Sequence, residues 1–151
     1  IDTGAGKVLG AGLGNGLDHL VKDGIHLEDI TDILLTHAHL DHVGGLVDAY
    51  ENLHNAKIHI AEKEFSFWRQ SKPDLKSMPI PDDFKDRFTQ TAHNALLKSD
   101  RIQTFKPGVI LPHIEAQAAF GHSPGHSLFR IESKGESMIH TGDIFHHQAF
   151  D

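Results

Sequence analysis

"LLTHAHLDHVGG", residues 34–45, runs from an apolar stretch into three histidines and an aspartate within six positions: His37, His39, Asp41 and His42. The chain is rich in histidine, 14 in 151 residues, so a scatter of solvated loop histidines is the plain alternative. The ordering argues against it. In an extended segment, side chains two apart project to the same side, so His37 and His39 can reach one ion together. Asp41 lies two further on, and His42 stands where the chain turns into a helix. That pair can reach a neighbouring ion. Gly44 and Gly45 leave room for another backbone to come close.

Outward from the cluster, Ile33 to Thr36 reads as an apolar strand with the histidines at its C-terminal end. "VGGLVDAYENLH" reads as a helix starting near Val43. "AKIHIAEKE" is a strand alternating through Ile58 and Ile60, and "EFSFWRQ" a short helix or helical turn. Upstream, "GLDHLVKDG" (16–24) is a short helix ended by Gly24, with Leu17, Leu20 and Val21 on one face. The six glycines from Gly4 to Gly16 make a loop. Gly10-Ala11-Gly12-Leu13-Gly14 lacks the spacing of a dinucleotide-binding turn.

Downstream, "SKPDLKSMPIPDD" (71–83) holds three of the six prolines and reads as a loop. "DDFKDRFTQTAHNALLKSD" reads as a helix with Asp82 or Asp83 near its N-cap. From residue 101 the pattern becomes β. "RIQTF", "VILP", "IEAQAAF", "SLFRIES" and "SMIHTG" are short runs divided by Gly and Pro, and "SKGE" is a hairpin candidate. The order is α+β, with one domain over 1–151.

The formal net charge is −7 and no Lys/Arg-rich run occurs, which argues against nucleic acid or an anionic membrane as partner. No apolar run reaches the roughly 18 residues of a membrane span. There is no cysteine, which excludes disulfides, thiolate nucleophiles and cysteine-based zinc sites. Any metal must be held by histidine and carboxylate. Absence of cysteine suits oxidising and reducing compartments alike and assigns no location. The chain opens at Ile1, and its only methionines are Met78 and Met138, so a processed or incomplete product is expected.

Three further constellations can join the cluster. "GHSPGHS" (121–127) is a tight turn that presents His122 and His126. "HTGD" (140–143) ends a strand in Asp143, and a carboxylate there can bridge two cations with its two oxygens. "IDTG" places Asp2 at a strand end, where it is expected to orient ligands or backbone rather than bind metal. Phe65, Phe67, Trp68 and Phe84 are candidates to line an apolar pocket, with core packing the simpler alternative.

"THAHLDH", "GHSPGHS" and "TGD" in this order resemble the metallo-β-lactamase-fold superfamily. "IDTGAG", the "FW" after the 58–61 strand, and "GD" followed by histidines resemble its methyl parathion hydrolase-like and lactonase-like branch. The resemblance covers essentially the whole chain. It implies an αββα sandwich with a two-metal site, usually zinc, on one edge. It assigns His37, His39 and His126 to the first ion, Asp41 and His42 to the second, and Asp143 as the bridge. His122 matches a supporting histidine of the turn. The family's late histidine has no position before Asp151, and His146 and His147 follow Asp143 too soon to replace it. The family's first strands have no counterpart before Ile1. The resemblance therefore implies a domain truncated at both ends, a second metal site short of a ligand, and unpaired sheet edges open to homo-oligomer formation.

Two cations held a few Å apart generate hydroxide from water near neutral pH and polarise the bond under attack. Asp41 would orient that nucleophile or accept its proton. The substrate implied is a small ester, lactone, amide or phosphotriester. Two other readings stand beside a hydrolase. One is an iron-dependent oxidoreductase on the same scaffold. Flavodiiron-type members often carry Glu where this chain has His39, whereas sulfur-oxidising members share the histidine pattern. The other is a non-catalytic metal-binding fragment.

Overall fold

Three short strands carry the apolar alternation into a parallel sheet: β1 (Asp32–Leu34), β2 (Lys57–Ala61) and β3 (Ile102–Phe105), adjacent in that order. A computed structural model of the chain describes residues 1–10 and 12–145. Ile33 lies opposite Ile58, and Ile58 opposite Ile102. Parallel neighbours need crossover connections, and helices supply them. α2 (Leu40–Ala49) joins β1 to β2, while α3 (Glu62–Trp68) and α4 (Asp82–Leu96) lie between β2 and β3. A further short helix, α1 (Gly16–Lys22), precedes β1.

Side chains alternate across this sheet with period two. Ile33, Ile58 and Ile60 join Val43, Leu46, Trp68, Ala92, Ala95 and Leu96 in the main core beneath the helices. Leu34 points the other way, into a second cluster with Ala116 and Phe129. Those two come from an antiparallel sheet of β4 (Gly108–Leu111), β5 (Ile114–Ala118), β6 (Ser127–Ser133) and β7 (Glu136–His140). Among the described residues no helical one enters this second cluster. The described residues thus supply helices, sheet and sheet, the αββ part of the expected αββα sandwich. β6 and β7 form the expected hairpin, with Lys134 and Gly135 at φ 52° and 82°, as a two-residue turn of matching twist requires. Among the described residues no helix is long and apolar enough to cross a membrane.

Three local expectations shift. β1 stops at Leu34 rather than Thr36, because the Thr36 amide leaves the ladder and donates to Asp2 Oδ1 at 2.8 Å. α2 begins at Leu40 rather than Val43, with His39 as its N-cap. The amides of His42 and Val43 both donate to the His39 carbonyl, so Asp41 and His42 project from the first helical turn. Val21 in α1 is exposed rather than on a buried face.

The N-terminal segment lies against α2. Gly45 N donates to Gly4 O at 2.9 Å, and Thr3 N to His42 O at 2.8 Å. A Cβ on Gly44 would stand 2.0 Å from Ala5 O, and one on Gly45 2.2 Å from Thr3 O. The glycine pair admits another backbone as its sequence suggested, and that backbone carries Asp2 to the histidines.

Candidate metal centre

The end of β1, the first turn of α2, the 121–126 turn and the segment after β7 converge on one spot. Asp2 organises it. Thr36 Oγ1 donates to Asp2 Oδ2 at 2.9 Å. An ionised carboxylate only accepts, so the hydroxyl's one proton is committed. The 3.0 Å contact between Thr36 Oγ1 and His37 Nδ1 must then have the imidazole N–H as donor. His37 Nε2 keeps its lone pair. His42 Nδ1 lies 2.9 Å from the same Asp2 oxygen and is a donor for the same reason. One carboxylate therefore turns the Nε2 atoms of two histidines toward the centre, the relay expected around metal-binding imidazoles. Asp2 sits at φ 51°, a left-handed conformation that aspartate tolerates better than most residues.

His37 is fully buried and has His39, His42, His122 and His126 around it. Its Nε2 stands 3.1 Å from His122 Nε2 and 3.9 Å from Asp143 Oδ2. The other Asp143 oxygen is 3.3 Å from His42 Nε2, and His122 Nε2 is 3.3 Å from Asp143 Oδ2. Among the described residues two sets of ligand atoms result, each lying within 4.8 Å of one another: His37, His39 and His122, and His37, His42 and Asp143. Asp41 stands outside both, half-exposed, with Oδ2 3.7 Å from His42 Nε2.

His126 lies beside the sets rather than in them. Its Nε2 accepts the Asp143 backbone N–H at 3.0 Å, so that lone pair is already engaged. Its Nδ1 is buried without a well-aligned partner. Gly142, at φ 53°, passes so near that a Cβ would stand 2.6 Å from His126 Nε2. The turn holds its two histidines in different surroundings. His122 faces His37 and His39, and His126 props the Asp143 segment. His146 and His147 lie outside the described residues.

The electrostatics follow the packing. Burial, followed by the charges of His42, His39, His122 and His126, drives His37 far below its ordinary 6.5 and keeps it neutral. Burial and His122 lower His126 as well. At His42 burial opposes the charged form, but the Asp2 hydrogen bond and the charges of Asp2, Asp41 and Asp143 outweigh it and raise the pKa to about 8. A neutral imidazole with its lone pair turned inward, neighbouring imidazoles and a two-oxygen carboxylate fit a divalent cation. With nitrogen and oxygen donors and no sulfur, zinc is accommodated.

A cleft of about 260 Å³ opens beside His39 and His122, with Phe67, Trp68, Leu75 and Met78 on its walls. Phe67 and Trp68 stand where the sequence suggested. Phe65 packs on the main core, and Phe84 lies under the Arg87 guanidinium, 4.9 Å from its ring centre, so neither lines the cleft. A wider groove of about 600 Å³ near Lys72, Lys85 and Asp86 touches none of the clustered histidines. Sequence reasoning passed over two residues of the site, Thr36 and Glu64. Thr36 had no signal beyond its place before His37. Glu64 had none either, since it follows Glu62 and Lys63 and reads as one more charged residue ahead of Phe65.

Comparison with known proteins bears on the family and the fold. The family model of the metallo-beta-lactamase superfamily matches residues 1–149. "Probable metallo-hydrolase Rv2300c" of Mycobacterium tuberculosis is 23% identical over 140 residues, covering 83% of this chain and 40% of the relative. Its Mycobacterium bovis counterpart, Mb2322c, matches equally. Among solved structures, the hydrolase AbOPH of the beta lactamase superfamily superposes with a TM-score of 0.83 at 32% identity, over 96% of this chain and 51% of that one. AidC, a dizinc quorum-quenching lactonase bound to its product, gives 0.82 at 30% identity, over 96% and 52%. The chain spans less than half the length of the curated relatives and about half that of these structures. On the match across residues 1–149, the chain belongs to the metallo-β-lactamase superfamily.

Proposed function

We propose that this chain carries the metal-binding part of a hydrolase that opens a small ester, lactone or phosphotriester with water activated between two divalent ions, zinc by preference. The observation that carries the reading is His37: buried, neutral, its Nε2 lone pair turned toward His122 and Asp143 by the Asp2–Thr36 relay. His37, His39 and His122 would hold one ion, and His42 and Asp143, with Asp41 close by, would hold the other. When bound, such ions supply an activated water and an electrophile near neutral pH.

The remaining work falls to the chain's own residues. His37 has no proton to lose at Nε2 before a ligand arrives. Asp2 holds His37, through Thr36, and His42 in the matching tautomer. His126 fixes the Asp143 backbone and hence its carboxylate. Asp41 would orient the attacking water or accept its proton. Phe67, Trp68 and Met78 offer an apolar wall for an acyl or leaving group beside His39 and His122. The similarity to AidC supports both the two-zinc assignment and lactones as the first substrates to try.

The test is metal-dependent turnover. Chelator-stripped chain is titrated with zinc, the bound metal counted, and hydrolysis of acyl-homoserine lactones, aryl esters and phosphotriesters followed. Zinc binding, with hydrolysis lost in His37→Ala, supports the reading. A folded chain that takes up no zinc overturns it.

A further inference from the structure

Glu64 occupies the first turn of α3 and is fully buried. A buried carboxylate is costly unless its oxygens are hydrogen-bonded. Four donors meet this one. Ala38 N–H reaches Oε1 at 3.0 Å and Trp68 Nε1–H reaches it at 2.8 Å. Ser123 Oγ–H reaches Oε2 at 2.8 Å and Gly125 N–H at 2.7 Å.

The identity of these donors gives the arrangement its meaning. Ala38 sits between His37 and His39. Ser123 and Gly125 sit between His122 and His126. One carboxylate therefore joins the two histidine-bearing segments, which are more than 80 positions apart in sequence. The join is tight, since a Cβ on Gly125 would stand 2.3 Å from the Glu64 backbone nitrogen. α3 follows β2 without a loop, so the carboxylate is held by the parallel sheet.

We propose that Glu64 is a positioning residue that sets the separation of the 37–39 and 122–126 segments, and so the spacing of His37 and His122. It touches neither ion nor substrate. Its consequence for metal binding rests on the function proposed above, but the spacing itself does not.

Glu64→Gln isolates the join. An amide has one accepting oxygen and one donating nitrogen. With the oxygen toward Ala38 and Trp68, the NH2 meets Ser123, whose hydroxyl can rotate to accept, and Gly125 N–H, which cannot. The reverse orientation sets the NH2 against two fixed donors, Ala38 N–H and Trp68 Nε1–H. The variant therefore keeps the 37–39 segment and releases the turn.

Two readouts are taken on the full chain. Amide hydrogen exchange in the metal-free state should show Gly125 exchanging faster in Glu64→Gln while Ala38 stays protected. Cobalt(II) affinity by chelator competition should fall by about 10–100-fold, with a changed visible spectrum. Ser123→Ala should move both in the same direction by less. Glu62→Gln, exposed on the same helix, should move neither. Should Glu64→Gln not fold, Ser123→Ala carries the test. Unchanged Gly125 exchange and cobalt affinity in the folded variant, or in Ser123→Ala if that alone folds, would overturn the proposal. A wild-type chain that binds no cobalt would count against the metal reading, and the exchange experiment would still decide for or against Glu64.

Discussion

His37 Nε2 and His122 Nε2 face one another at 3.1 Å, and only one of them can carry a proton there. Thr36 and Asp2 hold the His37 proton on Nδ1, so in the metal-free chain the shared proton belongs to His122. A bound cation would displace that proton. His126 Nε2 instead accepts from Asp143 N–H.

The two histidines of the turn should therefore respond differently to removal. His122→Ala should lower zinc affinity by more than the roughly 10–100-fold typical of residues around a ligand shell. His126→Ala should keep much of the affinity but lose about 2–4 kcal/mol of stability, as a buried ring is replaced by a cavity. Chelator competition and urea unfolding read the two effects. If only His126→Ala abolished binding, the assignment of ligands in the turn would be reversed.

Asp2→Asn should switch two tautomers with one substitution. If the amide nitrogen replaces Oδ2, it donates where the carboxylate accepted. Thr36 Oγ1 is then free to turn its proton on His37 Nδ1, and His42 Nδ1 becomes an acceptor. His37, and His42 above about pH 8 where it carries a single proton, then hold that proton on Nε2, where a cation would bind. Zinc affinity should drop about 10–100-fold without loss of fold. Thr36→Val should disturb His37 alone. Nitrogen-15 spectra of the metal-free imidazoles report the tautomers directly, and an unchanged His42 pattern in Asp2→Asn would sink the relay.

The pH dependence of the metal-free chain follows from two opposed shifts. His42 is raised from 6.5 to about 8, chiefly by the Asp2 hydrogen bond working against burial. Its folded pKa lies above the unfolded one, so its contribution of about 2 kcal/mol is complete below pH 6.5 and lost as the pH rises through 8. His37 is lowered by burial and its histidine neighbours. Its contribution is complete above the ordinary 6.5 and falls away as the pH drops below that value. Stability should peak near pH 6.5–7, roughly where the two contributions overlap. Zinc should remove the alkaline decline, because His42 Nε2 then holds metal instead of a proton. Thermal melts across the range, with and without chelator, decide it, and a metal-free profile flat through pH 8 speaks against the Asp2–His42 pairing.

The legible part of this site was local. His37, His39, Asp41 and His42 announce themselves because their spacing matches a strand end running into a helix, and the periodicity of Ile33, Ile58 and Ile60 marks the sheet that holds them. The start of α2 was hidden because Leu40–His42 carry no apolar periodicity of their own. The different surroundings of His122 and His126 were hidden for another reason. Both sit in one glycine-bounded turn, and what separates them is remote: the Asp143 amide on one ring, His37 on the other. Glu64 and Thr36 escaped likewise, since their roles depend on donors and acceptors brought in from distant segments.

Gly45→Ala should damage the centre without touching a ligand. In an exposed helix Gly→Ala stabilises by about 1 kcal/mol, and Gly45 lies within α2. Here the new Cβ would meet Thr3 O at 2.2 Å, a backbone atom of the segment that delivers Asp2. That segment is held by Thr3 N and Thr3 Oγ1 donating to His42 O and by Gly45 N donating to Gly4 O. Lifting it withdraws Asp2 from both Thr36 and His42. The net effect should be destabilisation of about 1–3 kcal/mol, as in other overpacked sites. The His42 pKa should also fall back toward 6.5. Gly16→Ala is the comparison. Gly16 opens α1 with open space where its Cβ would go, so the same change there should stabilise by up to about 1 kcal/mol and leave His42 alone. Urea unfolding gives the two signs, and His42 titration by NMR gives the second effect. A Gly45→Ala chain as stable as wild type, with His42 still titrating near 8, would show that the N-terminal segment does not need the glycine surface to hold Asp2 in place.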